Sequence, residues 1–440
     1  MATTRFLTEK YGGYRIAKQP PIDEELTRVG RGTPAGELLR RYWQPIMHSA
    51  DLKDLPVPVR ILGEDLVAFR TTKGEVGLLE RHCAHRGASL EFGKITDRGI
   101  LCCYHAWHFA TDGRLIEAPT EPAHNPYTGK LCQGAYPTKE FAGLTFAYLG
   151  PPDRIPPFPL YDSFARKDFH FGLGEPDGNK INIQPTNWLQ MMDNTPDQAH
   201  EAFLHCMHSG PQFLDQNRRP ITELAIIGEL DWWETPTGLA CHEARRVGSD
   251  VWVRSMELLF PNCVQVCRPP VFPPSYPSGA TEVEYPPFLI RWKVPLDDTH
   301  TANYSVIFYF HGEPADYFTR PTPAAKALYN DRTYEDMQRF PGDFEAQVGQ
   351  GPIAVHAREH LGHSDRGLAM FRRMVRDGIE AVSRGEDPKN LNRGASGPIP
   401  TYSRETMARL PPPNSPEADR TLLRETSRRV FERSLAAASR

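Results

Sequence analysis

The chain has 440 residues, a net charge of −4, 39% hydrophobic and 24% charged residues, the size and balance of a globular protein of two or three domains. Without a broad basic field, a run of about 18 apolar residues or a leader pattern at the start, no nucleic-acid partner, membrane span or signal peptide is expected. Eight cysteines in this length do not read as a disulfide framework, so a reducing, cytoplasmic setting is expected.

From Met1 to Gln44 the pattern is one of short helical turns, with Gly36-Glu37-Leu38-Leu39-Arg40-Arg41-Tyr42-Trp43 as an amphipathic helix. The stretch Gly30 to Gly36 has the wrong spacing for a dinucleotide loop and follows no strand. Across residues 45–150, short apolar runs at Val57–Leu62, Asp65–Arg70, Val76–Glu80 and Leu144–Leu149 are separated by Gly, Asp and Lys turns, which predicts a small antiparallel β domain. The prolines between Pro151 and Pro159 cannot propagate a helix or a central strand, so this stretch is read as a linker.

Two loops of the β domain carry metal-ligand spacing: Cys83-Ala84-His85, then sixteen residues, then Cys102-Cys103-Tyr104-His105. One cysteine and one histidine per loop suit a [2Fe–2S] cluster with thiolates on one iron and imidazoles on the other. A structural zinc site of two cysteines and two histidines competes, although such sites more often pair like with like. Trp107 is placed to shield the group from water, with ordinary core packing as the alternative.

Residues 160–440 mix strands and helices. The run Asn187 to His205 contains Asp197, His200 and His205 in a helical pattern. Two imidazoles and a carboxylate on one face of an iron leave positions open for dioxygen and substrate. Asp197 and His200 share a helix face, but His200 and His205 are five apart, about 140° out of phase on an ideal helix. The helix must therefore be distorted or end near His205, and a π-bulge is a frequent device at functional sites. His208 and Cys206 are nearby decoys.

Further on, Arg245, Arg246 and Arg254 are candidate clamps for a substrate carboxylate, with surface salt bridges the favoured reading for at least two of them. Strands of one larger sheet are expected at Asp250–Phe260, Phe288–Val294 and Asn303–Phe310. The proline-rich stretch from Pro269 to Pro287 between them is read as a lid or an assembly contact. Helices are expected at Ala324–Phe340 and Ala354–Ser383, with a charged docking or solvated helix at Ser415–Arg440. His356, His360 and His363 lie among charges and are read as a solvated face. No flavin or nicotinamide motif and no ferredoxin-type cysteine run is present, so a separate NAD(P)H-dependent reductase or a ferredoxin is expected to supply electrons.

The paired loops, with Arg86-Gly87 after the first and Ala106-Trp107 after the second, together with the Asp197-x2-His200-x4-His205 run, resemble the large (alpha) subunits of the Rieske non-haem iron oxygenases. Within that family the phrase Asn187-Trp188-Leu189-Gln190 through His200 is most similar to the phthalate dioxygenase and aryl O-demethylase branch. The sequence departs from the family pattern at Cys103, where proline is common, and at Ala106, where glycine is. The resemblance implies an α+β fold in which the small antiparallel Rieske domain joins a larger, helix-grip-like catalytic domain. It implies a mononuclear Fe(II) on His200 and His205, and Asp197 as the link from that iron to the cluster of a neighbouring subunit in a homotrimer.

It also implies a downstream carboxylate ligand, best matched by Asp343 in Pro341-Gly342-Asp343-Phe344-Glu345, with a helix N-cap as the plain reading of Asp343 and Glu345 as its rival. The expected activity is use of dioxygen to hydroxylate or O-demethylate an aromatic, carboxylated or methoxylated substrate. A cis-dihydroxylating dioxygenase and a non-enzymatic Rieske electron-transfer protein are the alternatives.

Overall fold

The computed structural model describes residues 7, 10–15, 20–174, 181–215, 217, 219–310, 332–394 and 397–438. Its first ten strands are β1 (Trp43–His48), β2 (Val57–Ile61), β3 (Glu64–Arg70), β4 (Val76–Glu80), β5 (Lys94–Ile95), β6 (Gly99–Leu101), β7 (His108–Ala110), β8 (Leu115–Glu117), β9 (Thr138–Phe141) and β10 (Leu144–Tyr148). They form three antiparallel sheets, ordered β1-β10-β9, β2-β3-β4 and β5-β6-β7-β8. Around the last of these, Val67, Phe69, Leu79, Leu90, Ile100, Trp107, Phe109 and Leu115 close a small core of their own that also contains Cys83 and Cys102.

The amphipathic helix starts and stops earlier than predicted, at Pro34–Leu39, and Trp43 belongs to β1, where it pairs with Tyr148. The division expected after Gln44 therefore falls inside a strand. The proline linker is not loose: Phe158 packs its ring 5.0 Å from Phe146 and 5.8 Å from Trp43, whose Nε1 donates to the Pro156 carbonyl.

The second half is built on a ten-stranded antiparallel sheet of β11 (Phe169–Leu173), β12 (Asn182–Gln184), β13 (Glu229–Glu234), β14 (Gly238–Val247), β15 (Asp250–Leu259), β16 (Cys263–Cys267), β17 (Glu282–Tyr285), β18 (Pro287–Asp297), β19 (His300–Phe310) and β20 (Arg404–Arg409). The main path runs β11-β19-β18-β16-β15-β14-β13, with β12 on β19 and β20 bridging β15 and β17. The β14–β15 hairpin turns on Gly248 at φ +60, the conformation a two-residue loop demands of its first residue. Because successive side chains alternate between faces, Arg254 and Met256 point to one side of β15 while Ser255 and Glu257 point to the other. The second side is covered by the C-terminal helix Pro416–Ala438, whose Phe431 stacks 4.8 Å from Trp233. The first side receives the helices that carry the candidate site.

Three further expectations change. The Pro269–Pro287 stretch is pinned to the sheet through β17, through Phe272 packed 5.1 Å from Trp252, and through the Tyr276 hydroxyl donating to Asp250. A single helix over Ala354–Ser383 is shortened to Arg366–Ser383, because the Gly362 N–H turns back onto the Asp365 carboxylate. Of the helix expected at Ala324–Phe340, residues 324–331 lie outside the described residues, and the described helix begins only at Tyr334, capped by Thr333, and ends at Arg339. His360 and His363 are exposed as expected, while His356 is half-buried with no partner for Nε2; His356 and His363 open short turns before the helix, and His360 lies between them.

The two halves meet at the β2–β3 turn, where the N–H groups of Leu62 and Gly63 donate to the carbonyls of Pro295 and Leu296 on β18. Gln44 and Asn262 exchange side-chain hydrogen bonds beside it, and the Tyr304 hydroxyl donates to Ile46. Among the described residues, no helix is long and apolar enough to cross a membrane.

On the covered face of β15, Glu257 accepts from the Thr235 and Thr237 hydroxyls and the Tyr402 N–H, yet burial pushes its carboxyl up to about 7. A carboxyl raised in the fold contributes stability below its unfolded value near 4.5, and that contribution is lost as the pH climbs through 7. Between pH 5 and 8, denaturant unfolding of Glu257→Gln should therefore lose about 2 kcal/mol less stability than the unsubstituted chain; parallel pH profiles would rule this out.

Candidate active site: two metal-binding constellations

The two cysteine–histidine loops fold alike. In the first, the Gly87 N–H donates to the Cys83 carbonyl and the Cys83 N–H to Ala88; in the second, Ala106 donates to Cys102 and Cys102 to Trp107. Each loop turns through a left-handed residue at the same place, Gly87 at φ +74 and Ala106 at φ +56. Cys83 and Cys102 are buried, the His85 and His105 rings lie 4.5 Å apart, and Trp107 stacks on His85 at 4.4 Å with the planes 1° apart. Burial, with Cys102 close by, pushes the Cys83 thiol up, and His105 Nδ1 is buried without a partner. Gln133, to which the sequence reading gave no role, ties the first loop down. Its side chain accepts from the Ala84 N–H and donates to the Glu80 and His82 carbonyls.

No three of these four side chains bring their ligand atoms within 4.8 Å of one another. One tetrahedral zinc ion, with bonds of about 2.0–2.3 Å, needs its ligands closer than that. A two-iron cluster spans the wider gap, and the buried thiols and the orphaned imidazole nitrogen suit it. The spare thiol of Cys103 is exposed.

The second constellation lies on the helical run above the large sheet. The helix Trp188–Asp193 leads into a turn at Ala199–Ala202 and then a π-helical segment, Phe203–His208. That is the distortion the five-residue spacing predicts, and it brings the His200 and His205 rings to 5.2 Å. Asp343 comes from the first turn of the helix Asp343–Val348, with one carboxylate oxygen 3.5 Å from His200 Nε2 and 3.3 Å from His205 Nε2. Among the described residues this is the one group of three candidate ligands whose atoms all lie within 4.8 Å. Asp343 is not the helix cap: Gly342 holds that position, and Glu345 accepts its N–H while pairing with Arg332 at 2.6 Å. Glu345, the rival ligand, is thus occupied elsewhere.

Each ring spends its other nitrogen on the protein. His205 Nδ1 donates to Gln212 Oε1 at 2.7 Å, and His200 Nδ1 donates to the backbone carbonyl of Asp197. Both Nε2 atoms are left facing Asp343, the orientation a metal requires. The polarity matches. Burial alone would raise Asp343, but the adjacent imidazoles hold its carboxyl well below the usual range. Burial alone would lower His205, but Asp343 and Gln212 raise it to about 9. The three atoms together favour a positive charge among them.

The Asp197 carboxylate is 3.7 Å from His200 Nδ1, so its carbonyl, not its side chain, takes the hydrogen bond from that ring. Together with His200, Asn194 and the Asp193–Arg372 ion pair it borders a cavity of about 470 Å³. Asn194 Nδ2 also reaches Asp343 at 3.0 Å.

The arginines expected to be clamps are consumed inside the protein. Arg254 is buried, bonded to Glu201 beside His200 at 2.8 Å and to Glu405 of β20 at 2.6 Å. Arg245 pairs with Glu243 beneath it, and Arg246 pairs with Asp419 of the C-terminal helix. Alternating faces on buried strands put the first two under the turn that carries His200 and His205, out of reach of solvent.

Replacing Arg254 by Met leaves Glu405 without its guanidinium and Glu201 with Arg245 alone, and should cost about 3–5 kcal/mol, read by denaturant unfolding. Ala106→Gly removes a left-handed alanine and should stabilise the second loop by about 0.5–1 kcal/mol, net of glycine's extra chain entropy, read as slower thermal bleaching of the cluster chromophore.

Residues 42–135 match the Rieske [2Fe-2S] domain family model. The chain is 39% identical over 443 residues to the tert-butanol monooxygenase / tert-amyl alcohol desaturase oxygenase subunit of Aquincola tertiaricarbonis, an alignment covering 96% of this chain and 91% of that one. It is 32% identical to the 5,5'-dehydrodivanillate O-demethylase oxygenase subunit of Sphingobium sp. (strain NBRC 103272 / SYK-6), covering 88% and 87%. Its fold is similar to NdmA of Pseudomonas putida CBB5, with a TM-score of 0.59 at 19% identity over 82% of this chain and 97% of that one. Full-length kinship with oxygenases sets aside the readings as a zinc scaffold and as a bare electron carrier. The chain belongs to the Rieske non-haem iron oxygenases, as the oxygenase component that carries a [2Fe–2S] cluster and uses a mononuclear iron.

Proposed function

We propose that this oxygenase hydroxylates or O-demethylates an aromatic substrate bearing a carboxylate or methoxy group. In this reading a [2Fe–2S] cluster sits on Cys83, His85, Cys102 and His105 within residues 45–150, and a ferrous ion on His200, His205 and Asp343 within residues 160–440. The observation that carries the reading is the convergence of two imidazole Nε2 atoms and one carboxylate within 4.8 Å, in a chain that also bears a Rieske domain. When bound, the cluster supplies single electrons and the ferrous ion activates dioxygen at positions its three protein ligands leave open.

The side chains do the rest. Gln212 and the Asp197 carbonyl hold the two rings in one tautomer, Arg254 and Glu201 fix the turn that carries them, and Trp107 keeps water from the cluster. The Asp197 carboxylate, facing the cavity, is the proposed bridge to the cluster of a neighbouring copy in a homotrimer. A separate NAD(P)H-dependent reductase or a ferredoxin provides the electrons, in the cytoplasm. The relative at 39% identity, named for tert-butanol, favours a second reading in which the substrate is a small tertiary alcohol.

The deciding experiment supplies a reductase, NADH and oxygen with methoxybenzoates, benzoate and phthalate-type acids, and tertiary alcohols. Formaldehyde from a methoxyarene supports demethylation, a cis-diol indicates the ring dioxygenase, and turnover of the alcohols alone selects the second reading. His200→Ala should keep the red-brown cluster, lower the iron content from about three to about two per chain, and abolish turnover. An unchanged iron count in that variant would remove the triad from the mechanism.

A further inference from the structure

Gln212 stands in the loop that follows the π-helical segment Phe203–His208, at 2% exposure, with its backbone N–H on the His205 carbonyl. Its side-chain amide makes three further bonds: Oε1 accepts from His205 Nδ1 at 2.7 Å, and Nε2 donates to the carbonyls of Leu204 at 3.0 Å and Pro341 at 3.1 Å. Both amide hydrogens are thereby spent on carbonyls, so the amide is held one way round: a flipped group would set its oxygen against two others. The oxygen left for the imidazole only accepts, which keeps a hydrogen on Nδ1 and makes Nε2 the nitrogen that faces Asp343.

Pro341 lies just before Gly342 and Asp343, in the chain that delivers the carboxylate. Among the described residues, no backbone–backbone hydrogen bond joins residues 194–213 to residues 340–349. Side chains cross the gap instead: Asn194 Nδ2 donates to Asp343 at 3.0 Å, Ser209 Oγ donates to the Pro341 carbonyl at 3.1 Å, and Gln212 donates to that same carbonyl. Gln212 is thus bonded at once to the back of one candidate ligand ring and to the segment that presents the carboxylate. We propose that Gln212 is a positioning residue joining the two parts of the iron site: with one amide it selects the nitrogen that His205 offers and, together with Ser209, draws the Asp343 segment onto the histidine turn through the Pro341 carbonyl. This rests on the assignment of His200, His205 and Asp343 as the iron ligands.

Cluster-loaded protein stripped of its mononuclear metal can be titrated with Mn(II), following loss of the free Mn(II) EPR signal, with thermal unfolding of each metal-free variant reporting the fold. Gln212→Met fills a similar volume without the hydrogen bonds and should weaken Mn(II) binding by about ten- to a hundredfold. Ser209→Ala alone should stay within about twofold, because Gln212 still holds the Pro341 carbonyl; added to Gln212→Met it should weaken binding by about fivefold or more again, because the carbonyl then has neither donor. A glutamine that only packs, or only holds the ring, does not make one substitution depend on the other. Mn(II) binding unchanged in Gln212→Met, or a Ser209→Ala effect equal in both backgrounds, overturns the proposal. Gln212→Asn, too short to span His205 and Pro341, takes the place of Gln212→Met if that variant does not fold; if neither folds without metal, Gln212 is a structural support and the proposal falls. If the unsubstituted protein binds Mn(II) no better than His200→Ala, the ligand assignment itself has failed, and the proposal with it.

Discussion

The proposed iron site depends on how two imidazole rings are turned. A histidine offers a metal only the nitrogen it has not already spent, and here both rings commit Nδ1 to the protein, one to a backbone carbonyl and one to Gln212. With that commitment made, the remaining nitrogens point at Asp343, and the crowding of like-minded atoms becomes a cradle for positive charge. Five residues of regular helix would set the rings on different faces; the wider π-helical turn re-phases them. Backbone geometry and ring orientation are thus one constraint.

The turn is held from below by charges that never meet water. Arg254 and Arg245 reach up from adjacent strands to Glu201, next to His200, while Glu405 ties the same guanidinium to a strand from the far end of the chain. Three buried carboxylates share two guanidiniums in this group, and burial pushes two of them, Glu243 and Glu405, up to about 7. Ion pairs in such surroundings are poor sources of stability, because desolvation cancels much of the attraction; they specify geometry. Breaking one costs far more than the pair ever contributed.

What the amino-acid sequence made legible was what is local. The C-x-H and C-x2-H loops, the five-residue arithmetic at His200 and His205, and the places of seven of the twenty described strands follow from spacing along a few residues. Asp343 was found only through family resemblance, since nothing near it announces a partner so far away in the chain. Gln133, Gln212 and Asn194 escaped because their contacts arise from sheet register and helix crossing. The arginines of β14 and β15 were misassigned for the same reason: alternation shows that two residues share a face, but not that both faces are covered. Trp43 was read into a helix that its pairing with Tyr148 overrules.

The Leu62–Gly63 turn, bonded through two backbone N–H groups to β18, has a bearing on how electrons travel. A redox module joined by a loose tether can swing between donor and acceptor, but one whose hairpin is stitched to the neighbouring sheet keeps its separation from the iron of its own polypeptide. Any timing of electron arrival in this protein then has to come from reorganisation at the metals or from association of partners, since tumbling of the small sheets is barred by their own seam.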